Sequence, residues 1–524
     1  MSFFKNVSKI SFWTIASRVA GFAREMMAAN FLGAGIVVDA LVLSLKFPSF
    51  IRRLCAEGTM NTCFVPIFAS LLQKNKEEQA KIFAASVFVI FSAALLVMVS
   101  LFVFFADSVI TFMFPGLLKT PERLAYAIHY ARIIFPFVAW ISITSIYGAV
   151  LNTREYFSAF SASPFVGNLS IITFVLFGLA LGVDKTNAFD IGSLFAWGIL
   201  VSGAVQFCVV FVDAWKRGLL LPIIVPQWSR ELRSFFKRLF PAALGAGVSQ
   251  INLFIGMLIA SMLPAGNISY LNYADRLVQL PLSVIGTAMG VALLPVLVRE
   301  LHAGRVERAN RQQELALGVS FFASFLITVL FVSLSTIFVK IVFEHGRFNA
   351  EDALQTARAL SAYAWGLPAY IMVKVLSARF FARGRVLFPL ICGLVSVGVD
   401  IVLSLALIRF MGHVGIAVAT SVSAWTNVAL LALLLWQKRE WRPTFELTVV
   451  FAKVVGLSFC ILLMTLPLSD AVDVRSLDKW GGVGYALLGG GAIVAIFLAG
   501  GYILFGNYVR QFWDTRVSGA SKKI

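Results

Sequence analysis

Charged residues are scarce in this sequence of 524 residues, where Asp, Glu, Lys and Arg together make up 13%. A soluble domain carries roughly 25% charged residues, so the composition excludes an ordinary soluble protein. The five cysteines lack paired CxxC spacing and the four histidines are scattered, so neither a disulfide framework nor a metal site is indicated. A GxxxxGK[ST] nucleotide-binding motif is also missing. We therefore expect no cofactor.

Long apolar stretches are what the sequence has instead, with 59% hydrophobic residues. About 20 apolar residues cross a bilayer as a helix. We count about fourteen such stretches, at 8–32, 37–70, 82–106, 124–151, 160–182, 190–213, 239–263, 268–298, 313–338, 353–380, 386–408, 413–436, 447–467 and 482–507. The sequence thus predicts an all-α polytopic membrane protein, with kinks at Pro48, Pro66, Pro281, Pro295 and Pro368.

The loops between these stretches differ in basic charge. Twenty Lys and Arg residues, Arg379 among them, fall in loops on one side, and eight, Arg123 among them, fall on the other. The positive-inside rule then places both termini in the cytoplasm. The net charge of +18 is explained by these loops and the basic tail, so a nucleic-acid partner is not needed. Anionic lipids of the cytoplasmic leaflet are expected partners.

A faint internal repeat pairs the Pro48 and Pro66 region with the Pro281 and Pro295 region, at offsets of 233 and 229 residues. Six helices separate the two regions, so the repeats would be parallel lobes around a central cavity. The predicted domains are an N-lobe at 1–213, a cytoplasmic linker at 214–238, a C-lobe at 239–440 and two further helices with a basic tail at 441–524.

The first two predicted helices carry charges where a bilayer disfavours them. These are Arg18, Arg24, Glu25, Asp39, Lys46, Arg52, Arg53 and Glu57. A charge near the centre of a membrane helix costs about 2.5 to 3.5 kcal/mol on insertion scales, so such residues face a bundle interior or a watery cavity. At about 100° per residue, the stripe of Asp39, Lys46, Arg53 and Glu57 lies along one face of the second helix. Pro48 leaves open whether Arg52 or Arg53 faces inward.

Two interpretations of these charges stay open. In one, they form an internal ion-pair lattice, with Arg24 or Arg18 pairing with Asp39 and Lys46 pairing with Glu57. In the other, the five cations outnumber the three acids in order to bind an anion, and the planar guanidinium groups suit phosphate. In the second half, Arg276 lies early in the eighth predicted helix, with Asp275 as a candidate helix-start charge. Lys374 lies deep in the tenth and could instead extend to the interface.

An ordered set of motifs resembles the MurJ (MviN) family of lipid II flippases along essentially the whole chain. The motifs are Ser17-Arg18-Val19, Gly21-Phe22-Ala23-Arg24, Gly33-Ala34-Gly35, Asp39-Ala40, Lys46-Phe47-Pro48, Arg52-Arg53, Glu57-Gly58, Phe64-Val65-Pro66-Ile67, Tyr273-Ala274-Asp275-Arg276-Leu277 and Val373-Lys374-Val375-Leu376. Two departures are Glu25, where an Asp is common, and Thr59-Met60-Asn61-Thr62, where Ala-Phe-Ser-Gln is more usual. The family belongs to the multidrug/oligosaccharidyl-lipid/polysaccharide exporter superfamily.

The resemblance implies two six-helix lobes plus two C-terminal helices beside a lipid-tail groove. It implies that the chain, without enzymatic activity, moves the lipid-linked peptidoglycan precursor across the bacterial cytoplasmic membrane by alternating access. The implied substrate-binding residues are Arg18, Arg24, Asp39, Arg52 and Arg276, with Lys46, Glu57 and Lys374 in support. Lipid II and membrane lipids are the implied partners, and the peptidoglycan synthesis machinery is a candidate protein partner.

Asp400, alone in the eleventh predicted helix, is a candidate site for Na⁺ or H⁺ coupling. The alternatives are that nearby polar groups satisfy it and that the membrane potential acts on the cavity cations. A flippase for another polyprenyl-pyrophosphate-linked oligosaccharide is a second candidate function. A cation-coupled multidrug exporter is a third, although a cationic cavity argues against it.

Overall fold

The computed structural model describes residues 2–55, 60–471 and 479–521, and in these ranges it contains helices and no β-strand. The first ten α-helices are α1 (Ser2–Leu32), α2 (Ile36–Cys55), α3 (Val65–Gln73), α4 (Glu77–Phe104), α5 (Ala106–Met113), α6 (Pro121–Ile134), α7 (Phe137–Thr153), α8 (Ser158–Ala180), α9 (Ala188–Lys216) and α10 (Arg230–Ser261). The others are α11 (Asn267–Pro281), α12 (Thr287–His302), α13 (Val306–Phe343), α14 (Ala350–Ala364), α15 (Leu367–Ala382), α16 (Leu387–Met411), α17 (His413–Gln437), α18 (Phe445–Ala471) and α19 (Lys479–Ser521). The predicted all-α fold is confirmed.

Ten helical segments in the described ranges are long and apolar enough to cross a membrane. Three of them, Glu77–Phe104, Leu387–Met411 and Gly481–Ile503, have only 22% of their apolar window buried by protein. Large side chains such as Phe104 and Phe410 point outward and are 76% and 86% exposed. An apolar helix whose surface is mostly uncovered is stable in lipid and not in water. A multi-pass membrane protein follows, while the count of fourteen spans stays a prediction.

Several of the predicted prolines lie at helix interruptions. A π-helical turn at Met60–Phe64 precedes Pro66, and another at Leu282–Gly286 follows Pro281. Proline removes a backbone donor, so the ladder of hydrogen bonds is re-formed with a different spacing. Pro368 follows the break between α14 and α15. The kink of α13 at Leu334 has no proline and was not predicted.

The chain divides into two compact units. Unit 1 contains residues 1–269 together with 345–348, and unit 2 contains 270–344 together with 349–524. In unit 1, α1 packs against α8, α2 against α6, and α10 against α2. In unit 2, α18 and α19 both pack against α13. α10 also packs against α4 of unit 1, and the predicted lobe boundaries stay a prediction.

Candidate functional site

The charges of α1 are held by a polar contact with α8. Arg24 donates through Nη2 to Glu25 Oε1 at 2.6 Å and through Nη1 to Asn168 Oδ1 at 3.1 Å. Asn168 in turn donates through Nδ2 to the carbonyl oxygens of Ser17 and Pro164, at 3.2 and 3.0 Å. The side chains of Arg24 and Glu25 are 24% and 12% exposed, so this charge pair stays partly accessible.

Arg18 lies two turns before Glu25, and its side chain is exposed. Gly21, between them, lies beside the amide of Asn168, where an added Cβ would make an ordinary van der Waals contact at 3.4 Å from Nδ2. Asn168 of α8 is thus at the level of the α1 charges. Asn168 was not singled out in the sequence, because one amide in an apolar stretch carries no distinctive pattern.

Asp39, the first carboxylate of the α2 stripe, pairs with Arg123 and not with Arg18 or Arg24, the partners considered from the sequence. Asp39 Oδ2 lies 2.9 Å from Nη2 of Arg123 in the first turn of α6, and neither side chain has any exposed surface. Arg123 also donates to the carbonyl oxygen of Leu263 at 3.0 Å. The sequence placed Arg123 in a loop, which was wrong, because α6 begins two residues earlier, at Pro121.

Asp39 accepts further hydrogen bonds from the segment after α10. The backbone N–H groups of Gly266 and Ser269 donate to its two oxygens at 2.8 Å each, and the Ser269 hydroxyl donates at 2.5 Å. A buried carboxylate is stable when a cation and several donors surround it, as they do here. In this conformation Asp39 joins α2, α6 and the start of α11.

The remaining charged residues of α2 are less buried than Asp39. Lys46, Arg52 and Arg53 are half-buried on α2, and Pro48 lies inside this helix. Glu57 lies outside the described residues. The choice between Arg52 and Arg53 therefore stays open, and so does the predicted pairing of Lys46.

In unit 2, Arg276 is half-buried on α11. Its neighbour Asp275 accepts a hydrogen bond from Gln279, one turn later. α11 begins at Asn267 and has no acidic residue in its first turn, so the helix-start interpretation of Asp275 is wrong. Lys374 is exposed, and its Cδ and Nζ would lie 3.2 and 3.3 Å from a Cβ added to Gly286. The lysine thus lies against the π-helical turn that follows Pro281.

A second arginine counted as a loop cation is buried in unit 2. Arg379 has no exposed surface and donates through Nη1 to Gln313 Oε1 at 2.9 Å and through Nη2 to the backbone oxygen of Glu440 at 2.5 Å. The carboxylate of Glu440 pairs with Arg385 and Arg383. This network attaches the loop before α18 to α13 and α15, so it is structural in character.

The candidate coupling residue Asp400 is buried on α16 with 5% of its surface exposed. Ser404 and Thr420 each place a hydroxyl oxygen 3.4 Å from its Oδ1. Carboxylate and hydroxyl oxygens are hard ligands of the kind that alkali and alkaline-earth cations prefer. Among the described residues, no three His, Cys, Asp or Glu side chains come together as a metal site.

Comparisons with known proteins agree with one another. The model of the family described as "Lipid II flippase MurJ" matches residues 28–475. A probable lipid II flippase MurJ of Rhizobium tropici is 32% identical over 512 residues, which cover 96% of this chain and 95% of the relative. The lipid II flippase MurJ of Burkholderia cenocepacia is 29% identical, covering 87% of this chain and 88% of the relative.

Solved structures with the same fold include a lipid II flippase MurJ in an inward closed conformation. It aligns with a TM-score of 0.79 and 24% identity, covering 95% of this chain and 99% of that one. An inward-facing multidrug resistance transporter of the MATE family aligns with a TM-score of 0.67 and 17% identity, covering 83% of this chain and 95% of that one. At these identities the structural likenesses bear on the fold alone.

Proposed function

The chain belongs to the MurJ family of lipid II flippases, and from this premise we propose that it carries the lipid-linked peptidoglycan precursor from the inner to the outer leaflet by alternating access. The observation that carries the proposal is the partly accessible arginine pair of α1, with Arg24 fixed by Glu25 and Asn168 and Arg18 exposed. A lipid carrier has no need of such charges in a membrane helix unless they meet a charged substrate.

The chemistry of the substrate class explains why arginines suit this task. A polyprenyl-pyrophosphate sugar has an anionic link, a large polar head and an apolar tail that stays in lipid. Arg24 already presents a guanidinium to a carboxylate at 2.6 Å, and a phosphate oxygen accepts in the same geometry. We propose that the pyrophosphate displaces Glu25 from Arg24, while Arg18, Arg52 and Arg276 add further donors. Lys46, Glu57 and Lys374 are proposed as supporting residues.

Asp39 has a conformational task in this proposal. In the structure it is held by Arg123, Gly266 and Ser269, and it has no surface with which to meet a ligand. We propose that this network keeps one end of unit 1 closed and that it breaks when that end opens. Once released from Arg123, the carboxylate can compete with the pyrophosphate for the arginines and promote its departure.

The proposal is tested by complementing a strain depleted of its own flippase and labelling lipid II in the outer leaflet. Arg24→Ala removes the guanidinium that would donate to the pyrophosphate, and one such charge-assisted hydrogen bond is worth about 1.5 to 3 kcal/mol, so export should fall at least roughly tenfold. Arg132→Ala is the matched control, because its pair with Asp107 is exposed on both sides. Export at the wild-type rate by Arg24→Ala, at equal protein level, would reject the arginine site.

A transport assay with reconstituted protein separates the alternative substrates. Reconstituted protein should move lipid II faster than other polyprenyl-pyrophosphate sugars if the polar head is recognised as well as the link. Equal rates for all of them would instead assign a general polyprenyl-pyrophosphate flippase. Transport of cationic drugs, which an arginine site disfavours, would favour the multidrug exporter.

Energy coupling is proposed to involve Asp400, whose carboxylate with the hydroxyls of Ser404 and Thr420 can bind Na⁺ or H⁺. In proteoliposomes Asp400→Asn should abolish the dependence of transport on an ion gradient, and Asp107→Asn, at an exposed position, should keep it. Full gradient dependence in Asp400→Asn would exclude this residue and leave the membrane potential as the energy source.

We further propose that the protein resides in a bacterial cytoplasmic membrane with both termini in the cytoplasm, as the distribution of basic residues indicates. Fusions of a cytoplasm-active and a periplasm-active reporter to each end test this orientation. We propose that the chain has no enzymatic activity. Enzymes of peptidoglycan synthesis are proposed partners because they consume the exported precursor.

A further inference from the structure

One short segment belongs to unit 1 by its contacts although both neighbouring helices belong to unit 2. It comprises His345 to Phe348, between α13 and α14, and we call it the latch. The latch forms a turn in which the Phe348 N–H donates to the His345 carbonyl at 3.2 Å, and Phe348 is buried. A segment whose contacts differ from those of both flanking helices requires specific partners within unit 1.

Two glycines allow the latch to approach α1. Gly346 has a φ of +60°, and an added Cβ would collide with the backbone oxygen of Asn30. Gly33, just after α1, has a φ of +69°, and a Cβ there would lie 2.8 Å from the backbone oxygen of Arg347. The backbones join directly, because the Arg347 N–H donates to the Asn30 carbonyl at 2.9 Å. Both positions exclude a side chain by conformation and by space.

The side chain of Arg347 makes a second attachment, to the turn between α8 and α9. Its Nη2 donates to the carbonyl oxygens of Lys185, at 3.0 Å, and of Thr186. Asp184 shapes this turn by accepting from the N–H and the hydroxyl of Thr186, each at 2.7 Å. Those hydrogen bonds, the backbone one first, lower the pKa of Asp184, so the turn keeps its shape at neutral pH.

We propose that Arg347 is a positioning residue for transport and that the latch must detach from α1 and the Lys185–Thr186 turn each time this end of unit 1 opens. The inference rests on the proposed alternating-access function. Hydrogen bonds to neutral backbone carbonyls suit a contact that is made and broken repeatedly, because both sides regain water or lipid headgroup partners when separated. Arg347 alone makes both attachments: its backbone N–H bonds Asn30 of α1, and its guanidinium bonds the Lys185–Thr186 turn.

The first experiment measures opening directly. In protein whose native cysteines are replaced, Val38→Cys reports on the buried region beside Asp39, and Val87→Cys reports on a buried position of α4. Arg347→Ala should raise the labelling rate of Val38→Cys by a water-soluble maleimide roughly tenfold, from the loss of two charge-assisted bonds. Arg347→Lys, which retains one donor group, should fall between, and Arg409→Ala, at an exposed site, should have no effect.

General loosening of the fold is separated from latch release by the second reporter. If Val38→Cys is labelled at the wild-type rate in Arg347→Ala, or if Val87→Cys labelling rises as much, the inference is overturned.

A second experiment prevents release. Cysteines at Thr186 and Arg347 are joined by a short reducible crosslinker, and lipid II export is measured before crosslinking, after it and after reduction. Export by the double variant, already lowered by the loss of Arg347, should stop on crosslinking and return to that lowered level on reduction, whereas the single Thr186→Cys and Arg347→Cys variants should be insensitive to the crosslinker. Unchanged export at full crosslinking overturns the latch. Absence of export in the uncrosslinked wild type would reject the proposed function instead, and the labelling result would still decide the latch.

Discussion

Replacing Arg123 should destabilise unit 1 strongly, although the sequence places this arginine among the loop cations of the less basic side. At an N···O distance of 2.9 Å and an effective dielectric constant near 20, the attraction to Asp39 is ~6 kcal/mol before desolvation is subtracted. Breaking a buried pair by deleting one partner costs about 3 to 5 kcal/mol, because the other charge stays buried without compensation. We expect Arg123→Ala to lower the free energy of unfolding by that amount.

The measurement is equilibrium unfolding in mixed micelles, arranged as a double-mutant cycle. Asp39→Asn alone should cost a similar amount, and the double variant should cost at least about 2 kcal/mol less than the sum, because neither charge is then left alone. Arg132→Ala, on the same helix with an exposed partner, should cost less than about 1 kcal/mol. Additive losses in the cycle would refute the reasoning, since they would mean that the two side chains do not depend on each other.

Three further substitutions test packing and polar contacts. Gly415→Ala should destabilise by about 1 to 3 kcal/mol, because its Cβ would lie 2.8 Å from the backbone of Leu407; Gly398→Ala, with open space around it, should be neutral in the same unfolding assay. Arg379→Ala should lower the denaturation midpoint strongly and expose the loop before α18 to protease, and an unchanged cleavage pattern would contradict the buried network. Asn168→Leu removes an acceptor of the α1 charges and should reduce lipid II export while leaving protein level unchanged, as export labelling and immunoblotting would show.

The positions of the helices could be predicted from the sequence because a membrane segment is defined by length and apolarity. The stretch predicted at 413–436 is α17 (His413–Gln437), and that at 160–182 is α8 (Ser158–Ala180). Helix ends were predicted less well where a helix continues into water. α10, for example, begins at Arg230, nine residues before the predicted 239. Polar residues continue such a helix without any apolar signal.

The partners of the charged residues could not be predicted, because they come from distant parts of the chain. Asp39 receives donors from Gly266 and Ser269, more than 220 residues away, and two of these donors are backbone N–H groups that any sequence offers. Arg123 and Arg379 were counted as loop cations because they stand at the edges of apolar stretches. The sequence pattern does not distinguish an arginine whose side chain points from a helix end into water from one whose side chain folds back and is buried.

The arginines of this chain differ in their hydrogen-bond partners and in their exposure, and these two properties decide which of them could meet a substrate. Arg123 and Arg379, which have no exposed surface, each bond a backbone carbonyl, of Leu263 and Glu440 respectively. Because both arginines are fully buried, moving either one would leave a cation and a carbonyl without partners inside the protein, so these two are committed to the fold. Among the described residues, the partners of Arg24 are instead side chains, and Arg18 is exposed. Side chains can turn away when a stronger acceptor arrives, so we expect a pyrophosphate to recruit the cations of α1 rather than Arg123 or Arg379.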